Sequence, residues 1–394
     1  MECSNVPILE RDVEIDRRTV KFLFVVNDIN FFISHRFEIA EKLFSLGYEI
    51  HIFAGYDPQS KNSNNLLSYD LSNFKIKKIN LSRGGFKIWN DVGFFINLYR
   101  YCKKYSPDVL HLITLKPIIY GGIIARILNH PRVVISFTGL GFLFINKTKK
   151  INQYIFKKLL RFVLKNRKIH SIFQNKDDIS SIKSIFNIPD DNITLIRGSG
   201  VNLDKYKFSI EPNKEMNIVM ASRILIDKGV LEFIEASKIV SSKGYKCKFY
   251  LYGDIDPPNP SAISLTKLQN LTQESKVIYG GFSQNIQEIY SSSNIIVFPS
   301  YREGFPKSLI EAAAIGRPII TTDVPGCRDA IINNKTGILV PVKDSLAIAK
   351  AIIYLVNNKK LRLNMGLKAR EYAEKNLSIE YVIEKHLGLY NNIL

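Results

Sequence analysis

Short runs of apolar residues recur along the chain, separated by longer stretches in which apolar positions return every three or four residues. In the first half the short runs predict strands at Val20–Val26, Glu49–Ala54, Lys75–Leu81, Val109–Ile113, Val133–Phe137, Ile169–Phe173 and Ile193–Ile196. Between them the helical period predicts helices near Ser34–Leu46, Ile88–Lys104, Ile118–Leu128, Lys149–Lys165 and Lys176–Phe186. Continuous apolar strands alternating with amphipathic helices indicate a parallel sheet covered on both faces. The pattern restarts at Asn217, with strands Asn217–Ala221, Cys247–Tyr252, Val277–Tyr279, Ile295–Phe298, Pro318–Thr321 and Gly337–Val340. Helices there include Val230–Ser242 and Phe305–Ile315, and helices near Ser345–Asn357, Lys360–Asn376 and Ile379–Asn391 end the chain. The expected fold is α/β, with two doubly wound parallel-sheet (Rossmann-like) domains at 19–204 and 205–377, after a loose extension at 1–18. The polar segment Lys205–Lys214 reads as the linker. Open sheets hold ligands at the carboxyl ends of their strands, so a site is expected in the cleft between the domains.

The most informative segment is Ser300–Ala314. Glu303 lies in a loop before a helix whose first turn reads Phe305, Pro306, Lys307; proline suits such a start because its missing N–H would be unpaired there anyway. The apolar run Leu309, Ile310, Ala312 to Ile315 carries the helix to Gly316, a natural residue just past a helix end. Were every step helical, Glu303 and Glu311 would lie roughly 12 Å apart along the axis. The carboxyl pair of a hydrolase needs about 5–9.5 Å. The spacing suits instead the two ends of one long ligand, with free N–H groups of the helix start, a phosphate position, between them.

Glu303-x₇-Glu311 in this setting resembles the signature of family-4 retaining glycosyltransferases, which have the two-domain GT-B fold. The resemblance continues in Ala221-Ser222-Arg223-x₄-Lys228-Gly229, Tyr252-Gly253-Asp254, Gly280-Gly281-Phe282 and Gly316-Arg317-Pro318. It extends through Val324-Pro325-Gly326-Cys327-Arg328 to Gly337-Ile338-Leu339-Val340-Pro341. It implies that Arg223 and Lys228 hold the departing diphosphate, Glu303 the hydroxyls of the transferred sugar and Glu311 the ribose. Gly281, Gly304, Phe305, Pro306, Lys307 and Ser308 would complete the donor site, mainly through backbone, with the Lys307 side chain solvated. In the first half, Asp108-x₂-His111-x₄-Lys116-Pro117 and Thr138-Gly139-Leu140-Gly141-Phe142 resemble a bacterial surface-polysaccharide branch. That branch includes N-acetylgalactosaminyltransferases acting on undecaprenyl-diphosphate sugars. His111, Thr114, Lys116 and Gly139 are the acceptor-side candidates, His111 also a catalytic one. Many relatives have His-x-His where this chain has His111-Leu112-Ile113, so a catalytic and a structural role for His111 both stay open. In the resembled fold the last helix, here within 378–394, crosses back onto the first domain.

Charge adds a second theme. The chain of 394 residues carries a formal +19, and from Lys147 to Lys168 every charged residue is basic. Ile151, Ile155, Leu159 and Phe162 are interleaved at helical spacing. Such a helix either lies on an anionic membrane through Lys149, Lys150, Lys157, Lys158 and Arg161, or turns its apolar stripe to the core and leaves its lysines solvated. No stacking platform or nucleic-acid module accompanies the charge, so nucleic acid is not an expected partner. Cys3, Cys102, Cys247 and Cys327 have no metal-site spacing, which suggests reduced thiols in a cytoplasmic protein. Asp254-Ile255-Asp256 resembles a metal-holding Asp-x-Asp but directly follows a strand and precedes Pro257-Pro258, and reads as a polar turn. With Arg223 and Lys228 already placed on the diphosphate by the resemblance, no metal or other cofactor is expected. The start has no signal-like apolar core and no apolar run reaches 18 residues, so any membrane contact is expected to be peripheral, and the resemblance implies the cytoplasmic face of a bacterial inner membrane.

With the resemblance, these features predict a retaining transferase. It would move a sugar, an N-acetylhexosamine first, from a UDP-sugar to a polyprenyl-diphosphate-linked saccharide in bacterial surface-glycan assembly. A UDP-sugar epimerase of the same architecture and an inactive scaffold are the alternatives.

Overall fold

The central strands are short and largely apolar because both faces of each sheet are covered, whereas the edge strand Lys75–Asn80 is lysine-rich and mostly exposed. Every residue of Val109–Ile113 and Val133–Phe137 is buried. The computed structural model describes residues 19–56, 69–81, 88–140, 150–257 and 259–394. The first sheet contains β1 (Lys21–Val26), β2 (Glu49–Tyr56), β3 (Lys75–Asn80), β4 (Val109–Ile113), β5 (Val133–Phe137), β6 (Ile169–Phe173) and β7 (Ile193–Leu195). All are parallel, in the order β3-β2-β1-β4-β5-β6-β7. Helices α1 (Ile29–Ser45), α2 (Ile88–Tyr105), α3 (Leu115–Ile127), α4 (Lys150–Leu164) and α5 (Lys176–Phe186) alternate with them.

The second sheet contains β8 (Met216–Ala221), β9 (Cys247–Tyr252), β10 (Ile278–Gly281), β11 (Ile295–Phe298), β12 (Ile319–Thr322) and β13 (Gly337–Val340), ordered β10-β9-β8-β11-β12-β13. Its helices are α6 (Val230–Ser242), α7 (Leu265–Ser275), α8 (Ile286–Ser291), α9 (Lys307–Ile315), α10 (Ser345–Asn357) and α11 (Lys359–Asn376). The chain leaves β8 toward β9 on one side and later returns to its other side as β11. That reversal opens a crevice between the ends of β8 and β11.

The last helix, α12 (Ile379–Ile393), sits on the first sheet. Its Val382, Leu389 and Tyr390 join the core formed by Phe22, Phe24, Ile39 and Leu43. Arg132 ties down the end of α12 by donating to the carbonyls of Ile393 and Leu394 at 2.9 and 3.0 Å. The two passages of the chain between the halves lie side by side. Val201 N–H donates to Leu377 O at 2.9 Å and Ile379 N–H to Val201 O at 3.0 Å. Gly200, at φ +76°, makes the contact possible: a Cβ there would stand 2.7 Å from Ile379 Cα.

Three sequence expectations shift. Helix α1 starts at Ile29, five residues before Ser34, because Asp28 Oδ1 caps Asn30 N–H at 2.8 Å and Ile29, Phe32 and Ile33 are buried. Helix α9 starts at Lys307, with Pro306 as its extended N-cap (φ −73°, ψ 124°), so Phe305 and Pro306 precede its first turn. The segment expected to be a linker is laced into the second half. Tyr206 is buried, Arg317 donates to Ser209 O at 2.8 Å, and Arg362 pairs with Glu211 at 2.7 Å.

Candidate active site

Two loops frame the crevice between β8 and β11. The first, after β8, carries Arg223 and ends in a single 3₁₀ turn, Ile226–Lys228, before Gly229. Gly229 has φ +76°, and a Cβ on it would lie 2.2 Å from Pro299 O, so only glycine lets this loop pack on the end of β11. The second loop carries Ser300 to Pro306 into α9. Tyr301 N–H donates to Asp227 O at 2.9 Å, and Ser308 Oγ donates to Ala221 O at 3.1 Å, locking the two loops together.

This packing brings Lys228 Nζ into an ion pair with Glu303 Oε1. Ser300 Oγ donates to the same carboxylate oxygen at 2.6 Å. The Lys228 ammonium also lies 5.6 Å from the Phe298 ring centroid. Both paired side chains are largely shielded, at 17% and 13% exposure. Arg223 is different: more than half exposed, it binds Asp256 at 2.9 Å. Asp256 thus serves as a guanidinium partner, while Asp254 Oδ1 accepts from Ile255 N–H at 2.9 Å, closing a local turn. Among the described residues no three His, Cys, Asp or Glu side chains cluster as metal ligands.

At the other end Glu311 is buried on α9 and accepts from Tyr206 O–H at 2.7 Å, with Lys307 Nζ at 3.9 Å. Burial pushes its carboxyl above the ordinary value of 4.5, against the pull of Lys307 and Tyr206. Lys307 is not the free solvated side chain expected from sequence: its ammonium crosses to the first half and donates to Ser34 O at 2.7 Å. The Phe305 side chain is buried in the second-half core, leaving only its backbone for a ligand. Gly281 ends β10 at φ +68° with open space where a side chain would be. Ser300 and Tyr206 were missed from sequence; a lone serine carries no signal, and Tyr206 sat in the supposed linker.

The first half supplies the facing wall, and here two expectations are corrected. His111 is wholly buried, hydrogen-bonded to Tyr390 at 2.7 Å and Ser136 at 2.7 Å, so it offers neither ring nitrogen to a substrate. Burial holds its pKa well below 6.5, with neighbouring His386 and Arg36 adding to the effect. Lys116 Nζ pairs with Asp91 at 2.8 Å, and both side chains are about nine-tenths buried (11% and 8% exposed), so its charge is spent within the first half. Thr114 remains in place. It joins β4 to α3 at φ +73°, a strained conformation for a β-branched residue, and its buried Oγ1 has no partner among the described residues. Gly139, at φ +147°, lies across from Gly304, whose N is 3.5 Å from where a Cβ on Gly139 would be.

Helix α4 also departs from expectation. Its inward face is Phe156, Leu160 and Val163, whereas Ile155 and Phe162 point outward beside exposed Tyr154. Lys158 and Arg161 share that outer face, with Lys157 half-buried. Lys158 Nζ sits 4.7 Å from the Tyr154 ring centroid, and Arg161 donates to Ile185 O at 3.4 Å. Lys149, Gly141 and Phe142 lie outside the described residues, as does the side chain of Lys150. No helix among the described residues is long and apolar enough to cross a membrane.

Both halves of the chain match known families. Residues 203–372 match the family model described as glycosyl transferases group 1, and residues 21–175 match glycosyl transferase 4-like. The chain is 28% identical to the capsular polysaccharide biosynthesis glycosyltransferase CapM of Staphylococcus aureus, over 78% of this chain and 82% of that protein. It is 29% identical to the N,N'-diacetylbacillosaminyl-diphospho-undecaprenol alpha-1,3-N-acetylgalactosaminyltransferase of Campylobacter jejuni, over 76% and 81%. Identity is 26% to the UDP-Gal:alpha-D-GlcNAc-diphosphoundecaprenol alpha-1,3-galactosyltransferase of Escherichia coli, over 76% and 79%. In fold it resembles the sucrose-phosphate synthase of Thermosynechococcus elongatus, with a TM-score of 0.77 at 18% identity, covering 95% of this chain and 99% of that one.

Proposed function

We propose that this chain, which belongs to the GT-B glycosyltransferases with a 4-like first half and a group 1 second half, moves a sugar from UDP to a lipid-diphosphate-linked saccharide during bacterial surface-glycan assembly, with retention at the anomeric carbon. The observation that carries the reading is the line of groups from Arg223 through Lys228–Glu303 and the start of α9 to Glu311. That order of groups supports a nucleotide diphosphate sugar laid lengthwise. Glu311 accepts from the ribose diol, the N–H groups opening α9 and the cations of Arg223 and Lys228 meet the diphosphate, and Glu303 takes hydroxyls of the sugar.

Transfer breaks the bond from the anomeric carbon to the phosphate oxygen and forms one to the acceptor oxygen on the same face. The departing phosphate takes the acceptor's proton. Negative charge grows on that phosphate, where Lys228 and Arg223 stabilise it. With side-chain cations in that position the step needs no metal, so chelation with EDTA leaves the rate unchanged. Loss of activity on chelation would overturn this part.

The three relatives support the donor and acceptor classes, through names that specify capsule synthesis, diphospho-undecaprenol acceptors and, in one case, UDP-Gal. An N-acetylhexosamine is the donor sugar we place first. The lipid acceptor gives the outer face of α4 a purpose: Tyr154, Ile155 and Phe162 beside Lys158 and Arg161 fit an anionic bilayer surface, the cytoplasmic face of the inner membrane. Incubation with a panel of UDP-sugars and a prenyl-diphosphate sugar acceptor tests the whole. One donor should give transfer, and donor alone only slow hydrolysis. Failure of every donor, or conversion of the donor to its epimer, would overturn the reading.

A further inference from the structure

Glu303 stands between two residues that are both held by the opposite half of the molecule. Arg302 Nη2 donates to Asp178 Oδ1 at 2.8 Å, and Asn175 Nδ2 donates to Gly304 O at 2.8 Å. Asn175 is the N-cap of α5, and Asp178 lies three residues later in its first turn. One turn of a first-half helix thus grips both neighbours of the glutamate.

The grip is built into the sequence. Asn175 is wholly buried, and its amide is fully used: Oδ1 accepts from Asp178 N–H at 2.7 Å, while Nδ2 also donates to Asp178 Oδ2 at 3.0 Å. Asp178 is nearly as buried, at 1% side-chain exposure. The backbones meet just as closely. A Cβ on Gly304 would lie 2.1 Å from Thr138 O and 2.7 Å from Gln174 Oε1, so only glycine permits the approach. From its own half Glu303 is held through its carboxylate, by Lys228 and Ser300.

We infer that Asn175 and Asp178 are positioning residues for Glu303: docking of the first half fixes residues 302 to 304, and only then does the carboxylate meet the transferred sugar. The inference rests on the glycosyl-transfer reading above and adds a division of labour to it. Glu311 and its hydrogen-bond partner Tyr206 both lie in the second half, and Lys307 beside them reaches Ser34 rather than Asn175 or Asp178, so the nucleotide binds without the clamp, whereas the sugar is gripped only in the docked arrangement. A donor bound to separated halves is thereby kept from wasteful hydrolysis.

The test variant is Asn175→Ser. Serine keeps an oxygen to cap α5 but has no N–H aimed at Gly304 O. Arg302→Ala removes the second grip from the other side. Calorimetric titration with UDP, UDP-N-acetylglucosamine and UDP-N-acetylgalactosamine compares nucleotide and sugar contributions, with melting temperature as the check on folding. The expected result is UDP affinity within about twofold of wild type, while the extra affinity given by the sugar, and kcat, fall about tenfold. Equal losses for UDP and UDP-sugar, as from general unfolding, would overturn the inference, and so would an unchanged sugar contribution. The binding comparison needs no acceptor, so it judges the clamp even if the transfer assay rejects the wider function.

Discussion

Lys228→Ala is the sharpest perturbation of this site. In the intact protein its ammonium is largely shielded and shares Glu303 with Ser300. The other cation, Arg223, is more than half exposed and already faces Asp256, so water and that carboxylate screen its pull on the diphosphate. Lys228 should therefore carry most of the stabilisation of the departing phosphate. Removing one preorganised donor of this kind costs roughly 2.7–4 kcal/mol in the transition state, about 10²- to 10³-fold in kcat. The interaction strengthens as charge develops, so KM for the UDP-sugar should move far less than kcat. Initial rates at saturating acceptor, over a range of donor, read both. Glu303→Gln should also lower kcat, and the double variant should lose less than the product of the two because the residues touch. A kcat within about threefold of wild type would refute the assignment.

Three further outcomes are expected. Because burial raises the Glu311 carboxyl above 4.5 and ribose binding uses the ionised form, UDP affinity in calorimetry should already weaken on acidification above that value, and Glu311→Gln should be weak and pH-flat. By linkage the same raised value makes Glu311 favour folding at low pH, a contribution that fades as pH rises through it. Burial holds His386 at about 3 and His111 well below 6.5, both with Arg36 nearby. Their stabilisation is complete above 6.5 and lost as pH falls, at up to about 1.4 kcal/mol per pH unit each, so the melting temperature should drop between pH 7.5 and 5 and drop less in His386→Gln. Finally, reversing Lys157, Lys158 and Arg161 to Glu should weaken sedimentation with anionic vesicles by about 150-fold or more, taking roughly 1 kcal/mol per lost charge. Equal binding to zwitterionic vesicles would sink that prediction.

The strands were legible because a sheet covered on both faces needs uninterrupted apolar runs, which β1, β4, β5 and β11 show plainly. Helix starts were less so. The Asp28 cap stands in the sequence, but the polar Asn27, Asp28 and Asn30 interrupt the apolar period that marks a helix, so the period alone puts the start later. Proline before α9 fits both a first turn and an N-cap, and only backbone angles separate them. Helix α4 has apolar residues on two faces, so periodicity alone chose the outer one. At the site, Arg223, Lys228, Glu303 and Glu311 stand in recognisable local patterns. Ser300, Tyr206, Asn175 and Asp178 act through contacts 3 to 129 residues away in sequence, and no local pattern marks them. His111 failed for the opposite reason: its strand looks like a site wall, yet the side chain turns toward α12.

The paired crossings at Val201 and Ser378 act like the spine of a book. Covers bound along one edge open and shut, but neither slides along the other. Whatever the angle of opening, each face meets the same opposite face on closing, so either can be re-sculpted for a new sugar or lipid without losing alignment with its mate.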